Sequence, residues 1–280
     1  MTNRSKKEAG ILRGLVWAAA GITAGILIFI IVYVGIKGIP HLGPALFARH
    51  YTSKNVSLFP ALVNTVIMTG LSLIIAVPLG IGAAIYLVEY AKKNSRLVAV
   101  VRLTSETLTG IPSIVYGIFG MLLFVTRLHW GYSMLAGACT LALMILPVVM
   151  RASEEALTAV PDSYREGSFG LGAGKLRTVF HIVLPAAAPG IFAGIVLGVG
   201  RIVGETAALI YTAGTVAQIP AGVMGSGRTL AVHLYALWTE GMHVDQAYAT
   251  AAVLLVMVIL LNLISSKISA RIARQTKETR

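Results

Sequence analysis

Residues 56–88 have the sequence VSLFPALVNTVIMTGLSLIIAVPLGIGAAIYLV, which contains no Asp, Glu, Lys or Arg. A helix of about 20 apolar residues is sufficient to cross the hydrocarbon core of a bilayer. A run of this length without a polar face is typical of a membrane span and not of a helix in a small soluble domain. The stretch therefore predicts one membrane-spanning helix, which we place at residues 62–88.

The rest of the chain has the same character. Of its 280 residues, 56% are hydrophobic and only 12% are charged, and the mean hydropathy is +0.81. Six further long runs lack charged residues, and only Arg201-Ile202-Val203-Gly204-Glu205 separates two of them, so we assign those two to one helix. The predicted fold class is all-α integral membrane. Its six transmembrane helices are expected at residues 15–36, 62–88, 107–126, 133–150, 186–212 and 246–266.

The distribution of basic residues predicts the orientation in the membrane. The chain has 23 Lys and Arg against 11 Asp and Glu, a formal net charge of +12. These basic residues form short clusters between apolar runs, which argues against a nucleic-acid-binding domain with one basic face. Seventeen fall on the side of the two termini and five on the other side. Because cytoplasmic loops carry the excess of Lys and Arg, we expect both termini in the cytoplasm.

We expect one membrane domain over residues 1–280, with its transmembrane core at about 15–266. The apolar run at 14–36 exceeds the roughly 7 to 15 residues of a signal-peptide core, so it is expected to remain as an anchor. The segment 213–245 is expected on the outer side, with a short helix at 229–238. Cys139 is the only cysteine, which excludes an intramolecular disulfide and a multi-cysteine metal site.

The loop at residues 151–185 is too long and too patterned for a simple connection between two spans. Pro161, followed by an Asp and a Ser, is a helix-start signal, and the Gly-Leu-Gly sequence that ends at Gly172 breaks the helix. A second short helix is predicted at 175–182, ending before Pro185. The sequence therefore predicts a helix-turn-helix that faces the cytoplasm.

This loop contains a Glu, two small residues, a Gly six positions after the Glu and an Ile-x-Leu-Pro ending. The positions concerned are Glu166, Gly167, Ser168, Gly172, Leu184 and Pro185. The pattern resembles the EAA loop of binding-protein-dependent ABC importer permeases, although Gly and Ser replace the usual two alanines. In that family the loop docks into a cleft of the cytoplasmic ATPase. The resemblance thus implies a type I ABC importer permease architecture and an ATPase-coupling role for these residues; an amphipathic loop lying on the lipid headgroups is the alternative.

Two further segments narrow the resemblance, GIPSIVYG at 110–117 and GRIVGETA at 200–207. With the loop, they are similar to phosphate-specific ABC importer permeases of the PstA type, over roughly residues 15–266. The resemblance implies a subunit of the bacterial inner membrane that translocates inorganic phosphate. It implies as partners a homologous PstC-type permease, two PstB-type ATP-binding subunits and an extracytoplasmic PstS-type phosphate-binding protein.

The chain is not expected to be an enzyme or to bind a cofactor, and ATP and Mg are expected to be used by the partner ATPase. A G-x-x-x-x-G-R-T sequence at 222–229 does not change this expectation, because a P-loop follows a strand and opens a helix in a soluble domain. A permease for sulfate or molybdate, an ion-coupled secondary transporter and a non-transporting membrane scaffold are the alternatives.

Two charges in the predicted fifth helix are candidates for the translocation path. Arg201 and Glu205 are four residues apart, which on a continuous helix places them on one face within reach of each other. Charged groups inside a bilayer are costly, so both should face protein or water. An oxyanion path needs a fixed cation, and the planar fork of an Arg matches phosphate oxygens. A purely structural salt bridge is the alternative.

Three polar residues near these charges complete the candidate path: Ser113, Tyr116 and Thr206. Pro112 is expected to interrupt the third helix just before Ser113, which would free a helix N-terminus or a hydroxyl for an anion, and a simple proline kink is the alternative.

Small residues recur every four positions in the fifth predicted helix, at Gly190, Gly194 and Gly198, and Gly200 and Gly204 repeat the spacing one step round the helix. Small residues at this spacing let two helix backbones approach closely. They therefore predict a packing seam and not a binding site.

Overall fold

The computed structural model describes the backbone of residues 3–92 and 95–278 and the side chains of residues 12–92, 95–268 and 271. The two ends of the chain, which were expected in the cytoplasm, lie outside the described residues. Within the described residues the chain is helical and forms no strand. The helices are α1 (Asn3–Gly38), α2 (Phe59–Ile85), α3 (Arg96–Thr109), α4 (Ser113–Gly120), α5 (Met134–Thr158), α6 (Asp162–Gly170), α7 (Lys175–Thr178), α8 (Leu184–Val203), α9 (Ala207–Ile210), α10 (Leu230–Glu240) and α11 (Val244–Glu278).

Wider π-helical segments continue three of these helices without a break: Tyr86–Tyr90 after α2, Met121–Arg127 after α4 and Val179–Val183 between α7 and α8. Five helical segments of the described chain are then long and apolar enough to cross a membrane: Leu12–His41, Phe59–Tyr90, Met134–Thr158, Lys175–Val203 and Val244–Ile268. Arg96–Thr109 and Ser113–Arg127 reach that length only together, and they meet at a bend of 103°. With this bent pair as one span, the described chain has six crossings, and the predicted all-α membrane fold is confirmed.

The packing of the helices gives the bundle two distinct ends. α8 runs antiparallel to α5, since Gly190 lies beside Ala156 and Gly198 lies beside Ile145. α2 packs along α5 in the same direction, and the two helices share the largest part of the buried core. The end that carries α6 and α7 is called the coupling-loop end below. The starts of α2 and α5, together with the predicted short outer helix, now α10, lie at the opposite end.

The third span is broken at Pro112, the position where an interruption was expected, and α3 begins at Arg96, well before the predicted start of this span at residue 107. α3 ends at Thr109 with Gly110 as its C-cap, and Pro112 has extended backbone with ψ of 141° before α4 begins. Pro112 has no N–H to donate and disfavours the helical conformation of Ile111, so the helix cannot continue through it. The resulting bend is larger than a proline kink and leaves α4 with its own N-terminus.

The predicted continuous helix at 186–212 is also wrong, because α8 ends at Val203 and Gly204 is its C-cap. The chain restarts as the single turn of α9, whose first amides have no partner inside that turn. The Glu205 carboxylate accepts a hydrogen bond from the Ala208 amide at 3.0 Å and so caps this turn. A poor helix former at Gly204 and a local acceptor at Glu205 together allow the break inside the apolar segment.

The loop at 151–185 matches its prediction in its first half and differs in its second half. α6 and the turn after it lie where they were predicted, and Gly172 adopts a φ of +81°, which favours glycine. The second helix does not end before Pro185. It continues through the π-helical segment into α8, so that Lys175–Val203 is one helical segment. The wider turn accommodates a proline at the start of α8, where its missing N–H costs no interior hydrogen bond.

The predicted glycine seam of the fifth span is confirmed at Gly190, Gly194 and Gly198 as a contact with α5, and is wrong for Gly200 and Gly204, which do not touch it. A Cβ atom added at Gly190 would lie 2.7 Å from the Cβ of Ala156, and one at Gly194 would collide with the Cβ of Ala152. Gly200, on the same helix, has no atom of another part of the chain within 4 Å of such a Cβ. The seam therefore sets how closely α5 and α8 approach.

We expect Gly194→Ala to destabilise the purified chain and Gly200→Ala, its matched control, to leave stability unchanged or slightly higher. The added methyl at position 194 forces the two helices apart, and overpacking of this kind costs about 1 to 3 kcal/mol. Thermal unfolding in detergent measures the difference between the two variants. Equal midpoints for both variants would contradict the seam.

Candidate translocation site and coupling loop

Arg201 lies in the last turn of α8, inside the bundle. Gly198, one turn earlier, packs beside Ile145, close to the middle of α5, so Arg201 lies about 5 Å along the axis from that level. Its side chain is half-buried, and its guanidinium makes no hydrogen bond or ion pair with another described residue. The carbonyls at the C-terminus of a helix favour a cation, which partly offsets the cost of its position.

Glu205 does not pair with Arg201. No ion pair within 4.0 Å joins the two among the described residues, and the expectation that they share one helix face is wrong because α8 ends between them. Glu205 is buried and its carboxylate caps α9. The structural salt bridge that the spacing suggested is therefore not formed, and Arg201 has no acidic partner in the described part of the chain.

The two sequence segments that narrowed the resemblance come together in the structure. A Cβ atom at Gly117 in α4 would lie 2.8 Å from the Cα of Ala208 in α9, so these two helices are in backbone contact. Tyr116 is buried beside this contact. Its ring hydroxyl donates to the Leu108 carbonyl oxygen at 2.9 Å and so links α4 to α3 across the bend. Tyr116 therefore has a positioning role at the break.

The two remaining path candidates have different surroundings. Ser113 is half-buried in the first turn of α4, and its hydroxyl makes no hydrogen bond with another described residue. Thr206 lines a cavity of about 420 Å³ whose other walls include Val34, Leu234 and Trp238. This cavity is largely apolar, so Ser113 is better placed than Thr206 to meet an anion.

The candidate coupling residues form an exposed surface at the end of α6. Glu166, Gly167 and Gly172 are exposed, whereas the Ser168 hydroxyl lies 2.8 Å from the Thr178 hydroxyl and joins α6 to α7. Leu171, at the tip, is 91% exposed. A groove of about 700 Å³ runs along this surface. Leu184 and Pro185 lie apart from the tip, in the first turn of α8, and so belong to the junction with the span.

The sequence analysis missed Arg165, which holds the coupling loop to the spans. Its Nε and Nη2 donate to Glu89 Oε1 at 3.0 and 2.7 Å, and Nη2 also donates to the Leu157 carbonyl oxygen at 3.0 Å. Nη1 donates to the Val160 carbonyl oxygen at 2.8 Å and to Asp162 Oδ1 at 3.2 Å. All five guanidinium donors are thus used. The one signal of this ion pair in the sequence is Glu89, an acidic residue at the end of an apolar span, and it lies 76 residues from Arg165.

These features agree with known proteins. The family described as "Binding-protein-dependent transport system inner membrane component" matches residues 76–278. The chain belongs to this family. It is therefore a permease component of the inner membrane and not the catalytic subunit of its transporter, and it works with an ATPase and a binding protein.

Among curated relatives, the probable ABC transporter permease protein YqgI of Bacillus subtilis is 33% identical over 272 residues, 89% of this chain and 91% of that protein. The phosphate transport system permease protein PstA 1 of Mycobacterium tuberculosis H37Rv is 38% identical over 214 residues, 75% of this chain and 69% of that protein. A PstA protein of Yersinia pestis is 38% identical over 208 residues, covering 73% of this chain and 66% of that protein.

Solved structures of ABC importers share the fold at low identity. A bacterial importer of the acidic polysaccharide alginate superposes with a TM-score of 0.64 at 17% identity, over 95% of this chain and 99% of that chain. The inward-facing MetNI methionine transporter gives a TM-score of 0.59 at 20% identity, over 77% of this chain and 94% of that chain. The permease therefore has the ABC importer fold.

We expect Arg165→Met to destabilise the assembled permease and to weaken cross-linking between the coupling loop and the ATPase. The change leaves Glu89 buried without its counter-charge, and breaking a buried ion pair from one side costs about 3 to 5 kcal/mol. Arg96→Met, which removes an exposed Arg at the same end, is the control and should have little effect. The double variant Arg165→Met with Glu89→Gln should recover part of the loss. The thermal unfolding midpoints of the variants are compared. A midpoint of Arg165→Met within 1 °C of that of Arg96→Met would overturn the structural role of Arg165.

Proposed function

We propose that this permease is the phosphate-translocating subunit of an ABC importer of the PstA type. Its partners in this proposal are a PstC-type permease, two PstB-type ATPases and a PstS-type phosphate-binding protein. Both termini and the coupling loop face the cytoplasm, and ATP and Mg are used by the partner ATPase. The relatives named for phosphate transport support the choice of anion, and the unpaired Arg201 supports the choice of path.

The observation that carries the proposal is the uncompensated charge of Arg201. Two arginines at the coupling-loop end have acidic partners: Arg102 Nε donates to Glu154 Oε1 at 2.7 Å, and Arg165 binds Glu89. Arg201 is half-buried and has no such partner among the described residues, although a charge removed in part from water without a partner is costly. A phosphate anion supplies the missing charge transiently, and the guanidinium fork can bind two of its oxygens.

The neighbouring elements favour an anion at the same place. The break before α4 frees a helix N-terminus, whose amides and dipole attract negative charge, and the unbonded Ser113 hydroxyl lies in its first turn. Glu205 is engaged as the cap of α9 and does not neutralise Arg201. The site thus attracts phosphate without holding a permanent counter-ion.

The continuous helix from the coupling loop gives ATP hydrolysis a route to this site. Lys175–Val203 is one helical segment, about 40 Å long, that begins in the coupling loop and carries Arg201 near its far end. A displacement of the loop by the ATPase therefore moves the Arg201 guanidinium as part of the same rigid body. Arg165 makes α2 and α5 follow the same movement, in the manner of a rigid-body transition between two states.

We expect Arg201→Gln to assemble normally but to reduce phosphate uptake at least about tenfold, or roughly 1.4 kcal/mol in the rate-limiting barrier. Glu205→Gln is the matched control, because its amide oxygen can still accept the Ala208 hydrogen bond, and it should retain most of the uptake. Uptake of radiolabelled phosphate in vesicles and the amount of assembled complex are measured on the same samples. Near-normal phosphate uptake by a fully assembled Arg201→Gln transporter would refute the role of Arg201 in the translocation path. Equal uptake of sulfate by the wild type would refute the choice of phosphate.

The proposed orientation is tested with single cysteines in a chain in which Cys139 is replaced by Ala. Ser53 and Ser163 are both exposed, at opposite ends of the bundle. An impermeant thiol reagent should label Ser53→Cys on intact cells and label Ser163→Cys only after permeabilisation. Labelling of Ser163→Cys but not Ser53→Cys on intact cells would reverse the topology.

A further inference from the structure

A second arginine, Arg228, is buried without a counter-charge at the end of the bundle opposite the coupling loop. It is 5% exposed, and its Nε and Nη2 atoms are buried and have no hydrogen-bond partner in the described part of the chain. An unpaired buried charge is far more costly than an unpaired exposed one. The described part of the chain provides no negative group for it.

The surroundings of Arg228 are fixed by neutral contacts. Its guanidinium lies 4.8 Å from the centre of the Tyr51 ring, within cation–π distance. Its backbone amide donates to the Val216 carbonyl oxygen at 3.0 Å, and its carbonyl oxygen accepts from Asn64 Nδ2 at 3.2 Å. Burial, and then the Arg228 charge, lower the pKa of the nearby His233 to about 3, so this imidazole is neutral at pH 7. Arg228 is thus the charged group of a rigid, otherwise neutral cluster.

A cavity of about 930 Å³ adjoins this cluster, and Tyr51 lies between it and the Arg228 guanidinium. Tyr51 and Val216, two of the residues that contact Arg228, form part of the cavity wall, and Arg49 and His50 line it as well. No Asp or Glu lies among its lining residues, and the sequence contains none between residues 42 and 60 or between 206 and 239. The potential in the cavity is therefore positive and favours small anions.

We propose that Arg228 and this cavity form an oxyanion subsite at the end of the bundle opposite the coupling loop. Tyr51 covers the guanidinium in the empty state, and a displacement of its ring admits the anion to the unbonded Nε and Nη2 atoms. The subsite is separate from Arg201 in the sequence and in the fold. The identity of the anion as phosphate rests on the proposed function, whereas the subsite itself rests on the geometry of Arg228.

The test uses the whole transporter complex in lipid nanodiscs, prepared free of phosphate and without the binding protein. Inorganic phosphate and, separately, sulfate are titrated while the thermal unfolding midpoint is followed. The titrations are made in the Arg201→Gln background, so that binding at the first site does not contribute. Arg127→Gln is the matched control, because Arg127 is an exposed arginine at the same end.

We expect an anion to raise the midpoint of the Arg201→Gln complex and of its Arg127→Gln derivative. Adding Arg228→Gln should raise the apparent dissociation constant at least tenfold. In anion-free buffer, Arg228→Gln should keep or raise the midpoint, since it removes a charge that has no partner in the empty site. If sulfate stabilised the complex and phosphate did not, the oxyanion subsite at Arg228 would be supported and phosphate as its anion would be contradicted. This outcome separates the subsite from the proposed phosphate transport.

Two outcomes would overturn the subsite. The first is an anion effect of the same affinity with and without Arg228, or no anion effect at all. The second is a lower midpoint of Arg228→Gln in anion-free buffer with no Arg228-dependent anion effect. That result would mean that a carboxylate of another subunit neutralises Arg228 permanently.

Discussion

The five hydrogen bonds of Arg165 connect the part of this permease that meets the ATPase to the part that crosses the membrane. Through Glu89 they attach α6 to the end of α2, and through the Leu157 carbonyl oxygen they attach it to the end of α5. A guanidinium is suited to this task because its donors lie in a rigid plane and remain charged at every physiological pH. With this junction fixed, α6, α2 and α5 respond together, and the uninterrupted helix from α7 to α8 carries the same movement toward Arg201.

The chain uses Arg165, Arg201 and Arg228 in two opposite ways. Arg165 is fully bonded and serves structure, whereas Arg201 and Arg228 lack anionic partners in the described chain and are held by helix ends, an aromatic ring and tight packing. Fixed cations without permanent counter-ions suit the transport of an anion, because a built-in carboxylate would compete with the cargo. The membrane limits where such sites can form, since irregular backbone is tolerated there only where its polar groups find partners. Both breaks in the apolar spans meet this condition, one through the Tyr116 hydroxyl and the other through the Glu205 carboxylate.

The sequence was sufficient to predict the elements that depend on local composition. Uncharged runs predicted the crossings, the glycine spacing predicted the α5–α8 seam, and Gly172 marked the turn of the coupling loop. The size of the bend at Pro112 and the end of α8 before Gly204 were not predicted. A single residue decides whether a helix bends or ends, and the group that stabilises the new helix end can lie elsewhere in the chain. The spacing of Arg201 and Glu205 misled for the same reason, since it assumes a continuous helix. Arg165 and Arg228 could not be singled out from the sequence, because their partners are distant in the chain. Arg165 binds Glu89, 76 residues away, and Arg228 lies against the uncharged ring of Tyr51.

The central claim is that the Arg201 charge is reserved for the transported anion. The most direct measurement is a cryo-EM structure of the assembled transporter with its binding protein and phosphate, trapped with an ATP hydrolysis transition-state analogue. The account predicts density for phosphate with an oxygen at hydrogen-bond distance, about 2.7 to 2.9 Å, from the Arg201 guanidinium, and no carboxylate bound to that group. An Arg201 side chain paired with a carboxylate of either permease in the trapped state, with phosphate bound elsewhere, would contradict it.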